Sequence, residues 1–144
     1  MENKDTIHLL KECDAGTKMG VDSIGDVLDM VNKSELKDVL SESKKHHEML
    51  GNEIHSLLIE YGSSEKDPNP MAKGMSWLKT NFKIGVDGSD ETIADLITDG
   101  CDMGIKSLNK YLNQYPQANA KCLDICRRLI KIEEALRDDL RVYL

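Results

Sequence analysis

Asp14, His47 and Cys101 stand at positions where the surrounding sequence repeats apolar side chains three and four residues apart, and Glu53 lies at the edge of one such stripe. A carboxylate, an imidazole nitrogen and a thiolate are the ligands that suit zinc or iron. The same residues also read as core polar groups that hydrogen-bond to one another and set helix register. A buried polar group without a partner costs about 1–3 kcal/mol. So these residues, with Thr17 and Ser43, either satisfy each other, hold an ion or ligand, or face water. Adjacent helix residues point about 100° apart, so only one of His46 and His47 faces inward. His8 and His55 look exposed and carry no role.

Glycines form the second irregularity. Gly16, Gly20 and Gly25 fall in one helical stretch, Gly51 in another, Gly100 and Gly104 in a third. Each costs roughly 1 kcal/mol relative to alanine inside a helix. Gly16-x-x-x-Gly20 and Gly100-x-x-x-Gly104 put both glycines on one side of a helix. That serves close helix approach, room for a bulky opposing side chain, or a small cavity. Cys13, Cys101, Cys122 and Cys126 lack paired zinc-type spacing; the two on the last helix, Cys122 and Cys126, read as core thiols.

The elements that carry these residues are helices. In the first, Ile7, Leu10, Asp14, Thr17, Val21, Ile24, Leu28 and Val31 make one face over about 5–32. The second, about 34–61 with Ser34 as N-cap, repeats the spacing at Leu36, Leu40, Ser43, His47, Leu50, Ile54, Leu57 and Tyr61, and Gly62 stops it. The third, about 89–114, is capped by Ser89 or Asp90 and ends before Pro116. The fourth, about 117–143, carries Cys122, Ile125, Leu129, Ile132, Leu136 and Leu140, with Glu133 and Glu134 flanking the stripe. Met71, Met75, Leu78 and Phe82 predict a short helix at about 70–85. These features predict an all-α, single-domain four-helix bundle over 1–144. Its two antiparallel hairpins are joined by a long crossover, which is the ferritin-like arrangement.

Composition narrows the function. The formal charge is −7, and residues 1–72 hold eight Lys and Arg against fifteen Asp and Glu. That balance argues against nucleic acid as the partner. No apolar run reaches the length of a membrane span, and the polar start reads as a cytoplasmic chain without a secretion signal. No Gly-x-Ser-x-Gly or phosphate loop is present.

Several stretches resemble a family of small bacterial ferritin-like four-helix proteins known only as a domain of unknown function. They are Leu9-Leu10 followed by Asp14-Ala15-Gly16, Leu36 through Leu50 ending in Glu60-Tyr61-Gly62, Trp77-Leu78-Lys79, and Ser89-Asp90 before Asp99-Gly100-Cys101-Asp102. The resemblance covers roughly residues 6–143. It implies a ferritin-type bundle, whose better-known members hold two metal ions with a Glu from two helices and Glu-x-x-His from the other two. Here no Glu-x-x-His occurs, and Cys101 stands where similar proteins often carry Glu. The expectation is therefore a non-enzymatic bundle without a cofactor, acting through a protein partner or self-association. The alternative is a binder of iron, zinc or a small molecule through Asp14, His47, Glu53 and Cys101.

Overall fold

The computed structural model of the chain describes residues 3–63 and 88–144. Four long helices pack together: α1 (Lys4–Leu28), α2 (Ser34–Glu60), α3 (Asp90–Gln114) and α4 (Ala120–Leu140), followed by a single 3-10 turn at Arg141–Tyr143. No strand occurs among the described residues. The short helix expected at about 70–85 lies outside them.

Each helix starts where its sequence supplies an acceptor for the orphan N–H groups of the first turn, with one exception. Asn3 accepts from the Thr6 N–H, Ser89 from the Thr92 N–H and Asn119 from the Cys122 N–H. The exception is α2, where Lys33 rather than Ser34 occupies the N-cap and makes no side-chain cap. The substitute comes from across the bundle: the Asp90 carboxylate accepts the backbone N–H groups of Asn32 and Lys33 at 2.8 and 2.9 Å. Those two donors, Asn32 foremost, hold the Asp90 carboxyl below its ordinary range. The same clasp explains why α1 stops at Leu28 and does not run to 32, since the residues after it turn to present their N–H groups to α3. At the other end of α2, Gly62 adopts φ 71° and Ser63 N–H reaches back to the Leu58 carbonyl at 2.8 Å, the glycine stop that the sequence predicts.

A second clasp closes the opposite end. Asn3 donates to the Gln117 carbonyl, Gln117 N–H donates to Asp5, and Asn119 N–H donates to the hydroxyl of buried Thr6 at 2.8 Å. The start of α1 thus holds the α3–α4 turn, while the start of α3 holds the α1–α2 turn.

Between the clasps, α1 packs mainly on α2 and α3 mainly on α4, with α4 also touching α2 and α1. The apolar interior is in two parts. One contains Leu9, Leu10, Leu50, Ile54, Ile125 and Leu129 with three of the cysteines. The other contains Ile24, Val27, Leu36, Leu40, Ile93 and Leu140. Asp14, Thr17, Ser43, His47 and Glu133 are buried polar residues on the middle turns of α1, α2 and α4. The helices approach closely there: a Cβ on Gly51 would lie 3.1 Å from Thr17 Oγ1, one on Gly16 3.2 Å from a Leu129 methyl, and one on Gly20 2.7 Å from His47 Nε2.

Gly100 differs, since a Cβ there would meet nothing within 4 Å. Replacing it with alanine removes the flexible residue without a clash. Gly100→Ala is expected to raise the unfolding free energy by about 0.5–1 kcal/mol. Gly20→Ala has the same propensity gain but collides with the His47 ring, so it is expected to lose about 1–3 kcal/mol net. Urea denaturation of the two variants beside the parent chain measures both.

Candidate functional site

His47 reaches the interior because it occupies a 3/4 position on the buried face of α2, whereas His46 points outward and pairs with Glu42 at 3.3 Å. The His47 side chain is 1 % exposed. Its Nδ1–H donates to the Ser43 carbonyl at 2.8 Å, one helical turn back. Its Nε2 lies 2.7 Å from Glu133 Oε1 on α4. A carbonyl can only accept, and the facing carboxylate accepts too, so the ring satisfies both partners as an imidazolium. Burial opposes that charge. The hydrogen bond and charge of Glu133, with the Ser43 carbonyl, outweigh it and raise His47 above 6.5.

Glu133 is the residue that the sequence argument places beside the apolar stripe, and the structure places it inside, 9 % exposed. The buried set on α4 contains Cys122, Cys126, Leu129, Glu133, Leu136 and Leu140, an unbroken 4-3-4-3-4 alternation. The stripe drawn through Ile125 and Ile132 takes the neighbouring row, and Ile132 is only partly buried. Both rows keep three- and four-residue steps, so the spacing allowed Glu133 without selecting it.

Cys101 of α3 completes the group. Burial pushes its thiol well above the ordinary range, and the charge of Glu133 with a hydrogen bond to that carboxylate adds to the effect. It stays an S–H donor and not a thiolate. Glu133 thus gathers His47 from α2 and Cys101 from α3.

Above this group, between α1 and α3, lies a pocket of about 290 Å³. Its walls carry Gly16, Gly20, Gly100 and Gly104, so both Gly-x-x-x-Gly pairs line one space. His47, Glu133, Leu129 and Leu136 also line it, as do Met19 and Met103. A Cβ on Gly104 would lie 3.7 Å from Glu133 Oε2. The missing side chain leaves that oxygen's side open. Glu12 and Tyr111 line the pocket as well. Burial and the neighbouring Glu12 carboxylate, which the phenol hydrogen-bonds, push the Tyr111 hydroxyl up to about 12.

The four residues first named as metal ligands do not converge. Asp14 is buried but turned to Lys18 Nζ at 2.9 Å. Glu53 does not reach in: it is 40 % exposed and makes a two-point ion pair with Arg128 at 2.7 and 3.1 Å. Only His47 and Cys101 meet, and they meet on Glu133. No three His, Cys, Asp or Glu side chains among the described residues are arranged to hold a metal ion. The donor set does not fit the carboxylate-rich dinuclear centre of ferritin-type bundles, since the imidazole nitrogen faces a carboxylate and the thiol keeps its proton. The other cysteines are core residues. Cys13, Cys122 and Cys126 are all fully buried, and Cys126 donates to the Leu108 carbonyl at 3.7 Å.

No described helix is long and apolar enough to cross a membrane. In comparisons with known proteins, no family model, no curated protein and no solved structure matches the chain.

His47→Gln removes the cation and leaves Glu133 buried without its charge partner. The variant is expected to lose about 3–5 kcal/mol of stability, the range for breaking one side of a buried pair. The folded chain also holds the His47 proton more tightly than the unfolded chain does. Its contribution is complete below about pH 6.5 and is lost as pH rises through the raised folded value. Denaturation curves between pH 5 and 9 should show that decline in the parent chain, and His47→Gln should lack it.

Proposed function

We propose that this protein is a helical-bundle receptor for a small, largely apolar molecule, held in the pocket between α1 and α3 over the His47–Glu133 pair. The observation that carries the reading is the pocket itself: about 290 Å³ at the middle of a bundle, with four glycines in its walls and the buried His47–Glu133 pair against it. An apolar cavity of roughly 150 Å³ takes one benzene-sized molecule, so the space suits a ligand about twice that size.

Binding, not catalysis, fits the state of the groups present. His47 has both ring nitrogens engaged, Cys101 is held as a thiol, and Tyr111 is held as a phenol. The imidazole, the thiol and the phenol are thus each kept in a resting form. The arrangement of the four helices is read as two antiparallel hairpins in ferritin-like order. The contacts of Thr17 with Gly51, Gly20 with His47 and Gly25 with Lys44, descending along α2 as they ascend along α1, support that reading of the first hairpin. A second reading, docking to a protein partner or to another copy of the chain, is supported by Met49 and Ile59 on α2, each 63 % exposed.

A neutral probe tests the receptor reading. Titration with 2-phenylethanol should give saturable binding by calorimetry and a rise in melting temperature that grows with probe concentration. Gly104→Leu, which fills the space beside Glu133, should abolish both while keeping the helical signal. Absence of saturable binding, or equal binding by Gly104→Leu, would contradict the proposal.

A further inference from the structure

We infer that the pocket selects a protonated amine: a compact apolar body carrying one ammonium group, seated against Glu133. The inference rests on the receptor reading above and names its ligand class.

The charge of the lining is the first ground. Two carboxylates, Glu12 and Glu133, line the pocket against one imidazolium, His47, and no Lys or Arg is among the described lining residues. A ligand carboxylate or phosphate would meet two carboxylates, and the one cation in the lining, His47, is already engaged by Glu133. An ammonium group would restore charge balance.

The geometry of Glu133 is the second ground. Its Oε1 is occupied by His47 Nε2 at 2.7 Å, while Oε2 lies on the side of Gly104, where no side chain stands. An ionised carboxylate has acceptor capacity for about four hydrogen bonds. His47 and Cys101 use two, so capacity remains on the side that faces the glycine. Any residue larger than glycine at 104 would crowd that approach.

The third ground is the remaining wall. The Tyr111 ring and the Met19 and Met103 thioethers line the same space. An aromatic face attracts an organic cation, and thioethers adapt to varied apolar shapes. The Glu12 carboxyl lines the pocket beside the Tyr111 ring. The pocket thus offers a carboxylate against the bundle interior, a second carboxylate beside the tyrosine, and apolar walls between.

Three probes of the same shape separate the alternatives: 2-phenylethylamine, 2-phenylethanol and phenylacetate, titrated into the full chain by calorimetry at pH 7. The amine should bind about ten-fold or more tighter than the alcohol, the difference of one charge-assisted hydrogen bond, and phenylacetate should not bind. Glu133→Gln should bring the amine down to the affinity of the alcohol. If that variant does not fold, Glu12→Gln carries the same test and should weaken the amine by about three-fold or more without changing the alcohol. Equal binding of amine and alcohol, or preference for phenylacetate, would overturn the amine inference and leave the receptor reading standing. Failure of all three probes would overturn both.

Discussion

One buried ion pair organises the middle of this bundle. His47 on α2 and Glu133 on α4 are joined at 2.7 Å at positions nearly closed to water. Two charges in such a place are tolerated only when each meets the other with good geometry and their remaining hydrogen-bonding capacity is used. The Ser43 carbonyl takes the other N–H of His47, and the Cys101 thiol adds to His47 at Glu133, which draws three helices to one carboxylate and leaves Oε2 facing the Gly104 side. The pair also explains a cost elsewhere. Gly20 has no side chain because the imidazole occupies the space that a Cβ would need.

The pair and the pocket are two aspects of one arrangement. Large apolar side chains fill the interior on both sides of the polar layer. Along the facing turns of α1 and α3, glycine replaces them, and the space that results opens onto Glu133 and His47. A bundle selected for stability alone would close such a gap, since unfilled volume and helical glycine both destabilise. Buried charge, helical glycine and unfilled volume at one level of the bundle are local departures from good packing. Such departures concentrate where a protein acts.

The helices were legible in the sequence because their buried faces follow strict 3/4 spacing. Every α2 residue expected on the inner face is buried except Tyr61, which is only partly so, and His47 was correctly separated from His46. Helix ends were less legible where the determining contact is distant in sequence: the Asp90 clasp on Asn32 and Lys33 spans more than fifty residues and leaves no local mark. On α4 two rows with three- and four-residue steps run side by side, so spacing allows either Ile132 or Glu133, and hydrophobicity favours Ile132, whereas the structure buries Glu133. The glycines illustrate a deeper limit. Gly16 and Gly20 serve close approach while Gly100 faces open space, yet the two motifs read alike, because the difference lies in what the opposite helix presents. Glu53 shows the converse. Its position at the edge of the stripe allowed either orientation, and Arg128 on α4 draws it outward.

The protonation state of His47 tests this account most directly. Nitrogen-detected NMR of selectively labelled histidine reports both ring nitrogens as a function of pH. The account predicts that Nδ1 and Nε2 of His47 both carry protons at pH 7, and that the ring gives up its second proton above pH 6.5. A neutral ring at pH 7, bearing one N–H and titrating at or below that value, would contradict it.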